Sequence, residues 1–368
     1  MKSLFTIIIS VCIIASSVFF ANRGGSDTIA LICAGLAMPE GSSELIYKTL
    51  SKKDKKKTVM QTAVTKAKTE AIVTSNAESL TTVPDDIQAL IDKAKIDFAN
   101  QKRDGTIVES TYTNDTATNT YGKVGVKNTT KTAKLNIQKT LNEEIGLKID
   151  KTKPAVLIVH THTTEGYEIL DRNFYARDYT SRTSDTTKNV ARVGLAIKES
   201  LESQGYKVIH DTTEHDTSYN GSYDRSEKTI KKYLEKHPEI QVVLDVHRDA
   251  IQTDDGTKIK PVNKINGKKS AQIMIITGCE EQGIENYPDW YENLKFTLKL
   301  QNACESKFQG LMRPVLFSAR KYNMNLTPCS ILVEVGSDAN TLDEAVYAGK
   351  LFGLSLSDLL EKYTINGD

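Results

Sequence analysis

Three short stretches of this sequence gather side chains able to do hydrolytic chemistry. An apolar run over residues 155–159 gives out into His160-Thr-His162-Thr-Thr-Glu165. A second, over residues 240–246, carries Asp245 and ends in His247-Arg248-Asp249. A third, over residues 330–335, holds Glu334 near its end. A hydrolytic zinc centre takes about three protein ligands from imidazole and carboxylate and leaves a fourth position for water. The expected ligands are His162, Glu165 and His247. His160 is the alternative to His162, because strand alternation puts the two on one side; the His162-x-x-Glu165 spacing favours His162. Glu334 is the expected general base, since a carboxylate near the end of an almost wholly apolar strand is costly to bury without a partner. A water polarised by the ion has its pKa lowered towards about 7, within reach of such a base.

By period two, Asp245, His247 and Asp249 share a face, so either aspartate would orient the imidazole. Arg248 points the other way, to bind a substrate carboxylate or to pair with a surface acid. His210 and His215 read as members of a solvated loop, and His237, before Pro238, as a surface residue. Cys329 reads as core packing, because nothing evident lowers its pKa. Neither a GxSxG elbow nor a phosphate-cradling glycine loop is present.

These groups need elements to hold them. From residue 154 onward, apolar runs alternate with amphipathic stretches. Strands are expected over 155–159, 206–210, 240–246, 270–277, 313–317 and 330–335. Helices are expected over 187–204, 223–236, 290–308 and 342–363. Such alternation predicts an α/β fold, an open and mostly parallel sheet with helices on both faces. Active sites in such sheets collect at the carboxyl edges of strands, where all three groups fall.

Residues 4–21 carry no charge. About eighteen residues at ~1.5 Å each just cross a ~30 Å hydrocarbon layer. Residues 1–22 are therefore expected to be a membrane anchor, with a cleaved secretory signal as the alternative, and the rest of the chain to lie outside the cytoplasm. Residues 23–134 read as a largely disordered stalk, partly helical over 84–101, because SKKDKKKT and the Thr, Asn, Lys-rich stretch 106–132 offer little to bury. A further helix over 135–147 leads into the catalytic domain, residues 135–368. Forty-eight basic against 47 acidic residues leave a formal net charge of +1, which argues against a nucleic-acid partner. Five cysteines without a CxxC pair argue against a disulfide scaffold.

Taken together, HTHTTEGY, the following NVARVGLAIKESLESQGYKVIHDTTEHD, DVHRDA and SILVEVGS resemble the stage II sporulation protein P family, over roughly residues 135–368 and the N-terminal anchor. That family is similar to zinc-dependent N-acetylmuramoyl-L-alanine amidases. The resemblance implies a zinc amidase-like fold and peptidoglycan amidase action, with endopeptidase cleavage of cross-links also attributed to it. It implies work at the sporulation septum during engulfment, with stage II sporulation proteins D and M as partners. One departure is visible. The wider amidase pattern has a Gly-His-Gly-Gly turn and a ligand glutamate well downstream, whereas here Glu165 follows His162 by three residues; Glu168 or an acid near Asp178 is the alternative. A metallopeptidase of the stem-peptide cross-link would use the same site. A non-catalytic wall-binding scaffold that recruits partner hydrolases is the reading from a different class.

Overall fold

The computed structural model describes residues 80–281 and 283–365. The anchor expected over 1–22 and most of the expected stalk lie outside them. Among the described residues no helix is long and apolar enough to cross a membrane.

In chain order the elements are α1 (Asp85–Asp97), β1 (Gly105–Ser110), β2 (Asn119–Tyr121), β3 (Val124–Asn128), α2 (Ile137–Asn142), β4 (Pro154–Val159), β5 (Phe174–Tyr175), α3 (Val190–Glu202), β6 (Lys207–His210), α4 (Ser222–Lys236) and β7 (Val242–Asp249). There follow β8 (Lys258–Ile265), β9 (Lys268–Ala271), β10 (Ile273–Gly278), α5 (Trp290–Lys307), β11 (Val315–Ser318), β12 (Ser330–Ser337) and α6 (Leu342–Glu361). The main sheet has eight strands in the order β2-β3-β11-β10-β12-β7-β4-β6. Its pairs are parallel except β10–β12 and β2–β3, so the sheet is mixed and mostly parallel. A second sheet of four strands runs β5-β1-β8-β9.

Alternation along the central strands divides the core in two. Val156, Ile158, Leu244, Val246, Val333 and Val335 face α3, α5 and α6 in the larger apolar cluster. Leu157, Val159 and Val243 face Ile230 of α4 on the other side, and Leu332, Met274 and Ile276 continue that second face beneath Tyr287 and Met324. Helices therefore cover both faces. The second face is the more thinly covered, and the odd-numbered residues of β7 point into it.

Part of the expected stalk is a different object. β1 pairs with β8, and β3 joins the main sheet beside β11 with β2 at the edge. Ile87, Val124 and Val126 are fully buried. The threonine-rich composition suits strands whose outer faces are polar, and β-branched residues favour that pleated setting. The helix expected over 135–147 is only α2. After it Ile145, Leu147 and Ile149 are buried alternately, as in an extended segment, and Ile149 bridges to Thr364.

The four-stranded sheet is tied by charge to the start of α6. Lys260 of β8 is 1% exposed and bridges Asp171, Glu109 and Glu344 at 2.5, 3.1 and 3.1 Å, while Lys269 shares Glu109 and Asp171. Glu344 also closes a capping box with Thr341 at the start of α6.

Candidate metal-type hydrolytic site

β7 and β12 run parallel, and their register sets Glu334 beside His247. The next aligned pair is Ser337 with Asp249, so three steps on β12 oppose two on β7. This bulge turns β12 just after Glu334, a device common beside active sites. Both side chains project onto the face that α4 shares. Glu334 Oε2 is buried with no hydrogen-bond partner among the described residues. Burial, and then the charge of Asp249, push its pKa up to about 8. Asp249 itself is held by the fully buried Arg313, Oδ2 to Nη1 at 3.0 Å.

His247 lies between two carboxylates. Its Nε2 is 2.9 Å from Asp245 Oδ1 and its Nδ1 is 3.3 Å from Glu165 Oε2. Burial opposes a charged imidazole there, yet Asp245 and Glu165 outweigh it and hold the His247 pKa well above the usual value. Asp245 is locked in turn by Thr161, whose N–H and hydroxyl donate at 2.8 and 2.6 Å. Glu165 accepts from the Arg248 N–H at 3.2 Å and pairs with Arg182 at 3.4 Å. Burial alone would raise the Glu165 pKa; the His247 bond and the Arg248 charge bring it instead to about 2. His162 closes the group. Its ring meets His247 edge-on at 5.3 Å and is stacked on Tyr219 at 4.7 Å. Burial, then the neighbouring charge of His247, lower its pKa.

Of the residues expected from sequence, His162, Glu165, His247, Asp245 and Glu334 come together. His160 does not join them. β4 ends at Val159, so alternation stops there and the two histidines part. His160 lies under α3, with Nδ1 2.9 Å from Val246 O and Nε2 2.8 Å from His210 Nε2. A Cβ on Gly194 of α3 would sit 2.7–2.8 Å from these two rings, so glycine makes the room. Arg248 does turn away; it is buried, and its Nε donates to Gly166 O at 3.2 Å. Glu168 is occupied by Arg172 at 3.2 Å. The solvated loop expected at 210–215 is also corrected. His215 is buried, its Nδ1 2.8 Å from His160 O and its Nε2 2.9 Å from Thr229 Oγ1. Arg182 and Tyr223 were not singled out from the sequence, and no motif there marks them.

The donor set suits a divalent cation. Tetrahedral zinc with bonds of ~2.0–2.1 Å separates neighbouring ligand atoms by about 3.3–3.4 Å. The Glu165–His247 spacing of 3.3 Å matches that edge. The unpartnered Glu334 oxygen gives the pocket a base with no other duty. His162 stands wider: among the described residues the only three His, Cys, Asp or Glu donors mutually within 4.8 Å are those of Glu109, Asp171 and Glu344. That second cluster already encloses the Lys260 ammonium, which answers its charge.

The buried histidine pair behind the site makes the fold acid-sensitive. Burial first, then the charge of His210, lower the His160 pKa to about 3, and burial lowers that of His210 to about 4. Unfolded histidine titrates near 6.5, so below that pH the unfolded chain binds protons that the folded chain refuses. Stability is complete above about pH 6.5 and falls by ~2 kcal/mol per histidine on reaching pH 5. The urea midpoint of chelator-treated protein should drop accordingly between pH 7 and pH 5. An unchanged midpoint would mean that the pair is not buried neutral.

Comparison with known proteins agrees with the motifs. The family model described as stage II sporulation protein P matches residues 68–356. Stage II sporulation protein P of Bacillus subtilis (strain 168) is 29% identical over 204 residues, 52% of this chain, and the chain spans about half of that relative, 47%. Among solved structures, the N-acetylmuramoyl-L-alanine amidase AmiC2 of Nostoc punctiforme is 12% identical with a TM-score of 0.31, over 57% of this chain and 96% of that one. The CwlD amidase of Clostridioides difficile, in complex with the GerS lipoprotein, is 15% identical with a TM-score of 0.33, over 57% and 98%. With the family model matched over most of its length, the chain belongs to the stage II sporulation protein P family.

Proposed function

We propose that this chain is a peptidoglycan hydrolase of sporulation, cutting the amide between the lactyl group and L-alanine with one divalent cation, zinc, held by His162, Glu165 and His247. The observation that carries the reading is Glu334: a buried, unpartnered carboxyl oxygen aligned with His247 on the neighbouring strand. Family membership supports the wall as substrate. The cation would supply polarisation of the scissile carbonyl and a lowered pKa for water. The rest is done by side chains. Glu334 takes the proton of the attacking water and returns it to the departing amine. Asp245, fixed by Thr161, holds the His247 ring in one orientation. The His247 bond and the Arg248 charge hold Glu165 ionised, while Arg182 and the Arg248 N–H fix its position.

The same site suits cleavage of stem-peptide cross-links, and we include that endopeptidase activity in the proposal. We further propose that residues 1–22 tether the domain to the outer face of the membrane at the sporulation septum, where stage II sporulation proteins D and M would act with it. Mass spectrometry of purified walls digested by the zinc-loaded protein is expected to find free stem peptides beginning at L-alanine. Split cross-links with every stem still attached would replace the amidase reading by the endopeptidase one. Undigested wall would sink both.

A further inference from the structure

Tyr223 stands in the first turn of α4, where that helix begins over the site. Its ring meets the His162 ring edge-on at 5.7 Å and lies against Tyr322 at 5.0 Å with 20° between planes. Its backbone is fixed, since the Tyr223 carbonyl accepts from Asn323 Nδ2 at 2.9 Å and from Ser226 Oγ at 3.1 Å. Tyr322 and Asn323 both adopt left-handed φ, 42° and 58°. For residues other than glycine that conformation is unfavourable, and it persists only where the surroundings enforce it. Here the enforcement is visible, because Asn323 Nδ2 also reaches Ser226 Oγ at 3.0 Å. The strained pair holds Tyr322 flat against Tyr223 and leaves the phenol one orientation.

The Tyr223 ring borders the pocket: it meets His162, and Asp245, Glu334 and Glu165 are the carboxylates whose charges reach it. A tyrosine phenol is protonated at neutral pH, so the hydroxyl can donate a hydrogen bond there. The hydrogen bonds of Tyr223 use only its carbonyl, and its hydroxyl has none among the described residues. A neutral donor set among carboxylates and left without a partner is suited to an oxygen that becomes negative only during reaction.

We infer that the Tyr223 hydroxyl is a catalytic hydrogen-bond donor to the oxygen of the scissile carbonyl, an inference that rests on the hydrolase reading above. As the water oxygen bonds to the carbonyl carbon, the C=O electron pair moves onto that oxygen and the Tyr223 bond to it strengthens. When the pair returns, the C–N bond breaks and the amine departs with the proton carried by Glu334. Tyr223 keeps its own proton throughout.

The test is Tyr223→Phe in the full-length, zinc-loaded chain, which preserves both ring contacts. Zinc stoichiometry and urea midpoint should match the parent. KM for a muramoyl-peptide should stay within about twofold while kcat falls about 10²–10³-fold. Affinity for a phosphinate analogue of the scissile amide should fall in step with kcat, since a transition-state donor acts on both. An unchanged kcat, or a loss confined to KM, would overturn the assignment. If the parent releases no stem peptide, the hydrolase reading itself fails and takes this inference with it; an active parent with an equally active variant removes Tyr223 alone.

Discussion

Glu334→Gln is expected to retain bound zinc and to lose wall hydrolysis by about 10²–10⁴-fold, the range for a positioned acid–base group. Glutamine keeps the shape of the side chain but cannot accept and return a proton. The substitution should leave the fold intact, because Glu334 Oε2 has no partner among the described residues to lose. Removing a buried acid whose pKa is already pushed up to about 8, by burial and then by Asp249, also relieves an electrostatic conflict. The urea midpoint should therefore stay or rise while released stem peptides disappear. Elemental analysis alongside mass spectrometry separates the two effects. A variant that digests wall at the parent rate would remove Glu334 from the chemistry, whatever its zinc content.

Much of the site was legible because apolar strands announce themselves. β4, β7 and β12 are buried on both faces, so each polar residue that interrupts them must have a use. Asp245, His247 and Glu334 are such interruptions. Period two correctly put Asp245 and His247 on one face. It failed for His160 and His162 because it was carried past Val159, where the strand ends and the chain turns. His160 then serves the opposite face, under Gly194, as half of a neutral histidine pair.

The second sheet was missed for a different reason. Its strands are short or polar on one side, and β1 finds its partner β8 about 150 residues away in the chain, a pairing no local pattern encodes. One signal was available. β8 and β9 are joined by Asn266-Gly267, with φ of 50° and 82°, which is the two-residue hairpin that Asn-Gly favours. Tyr223 left no such trace. The role inferred for it rests on Asn323 and Tyr322, a hundred residues on in sequence, which hold its carbonyl and its ring.

The largest combined effect is expected from His247→Ala, which should lose both the metal and much of the fold's stability. The imidazole touches both Asp245, at 2.9 Å, and Glu165, at 3.3 Å. Taking it away leaves two buried carboxylates facing a void, and breaking a buried ion pair from one side costs about 3–5 kcal/mol. Asp245 keeps its two bonds from Thr161 and Glu165 keeps Arg182 and the Arg248 N–H. Those contacts should spare the fold itself, so the variant is expected to be soluble, with a lowered urea midpoint. Zinc should fall well below one per chain, because an open three-ligand centre reduced to two ligands no longer fixes the cation's geometry. Added zinc should stabilise the parent against urea and leave the variant unmoved. That comparison is the sharper reading, because it separates lost ligation from lost packing. Full zinc stoichiometry in the variant, or equal stabilisation of both proteins by zinc, would take His247 out of the ligand set.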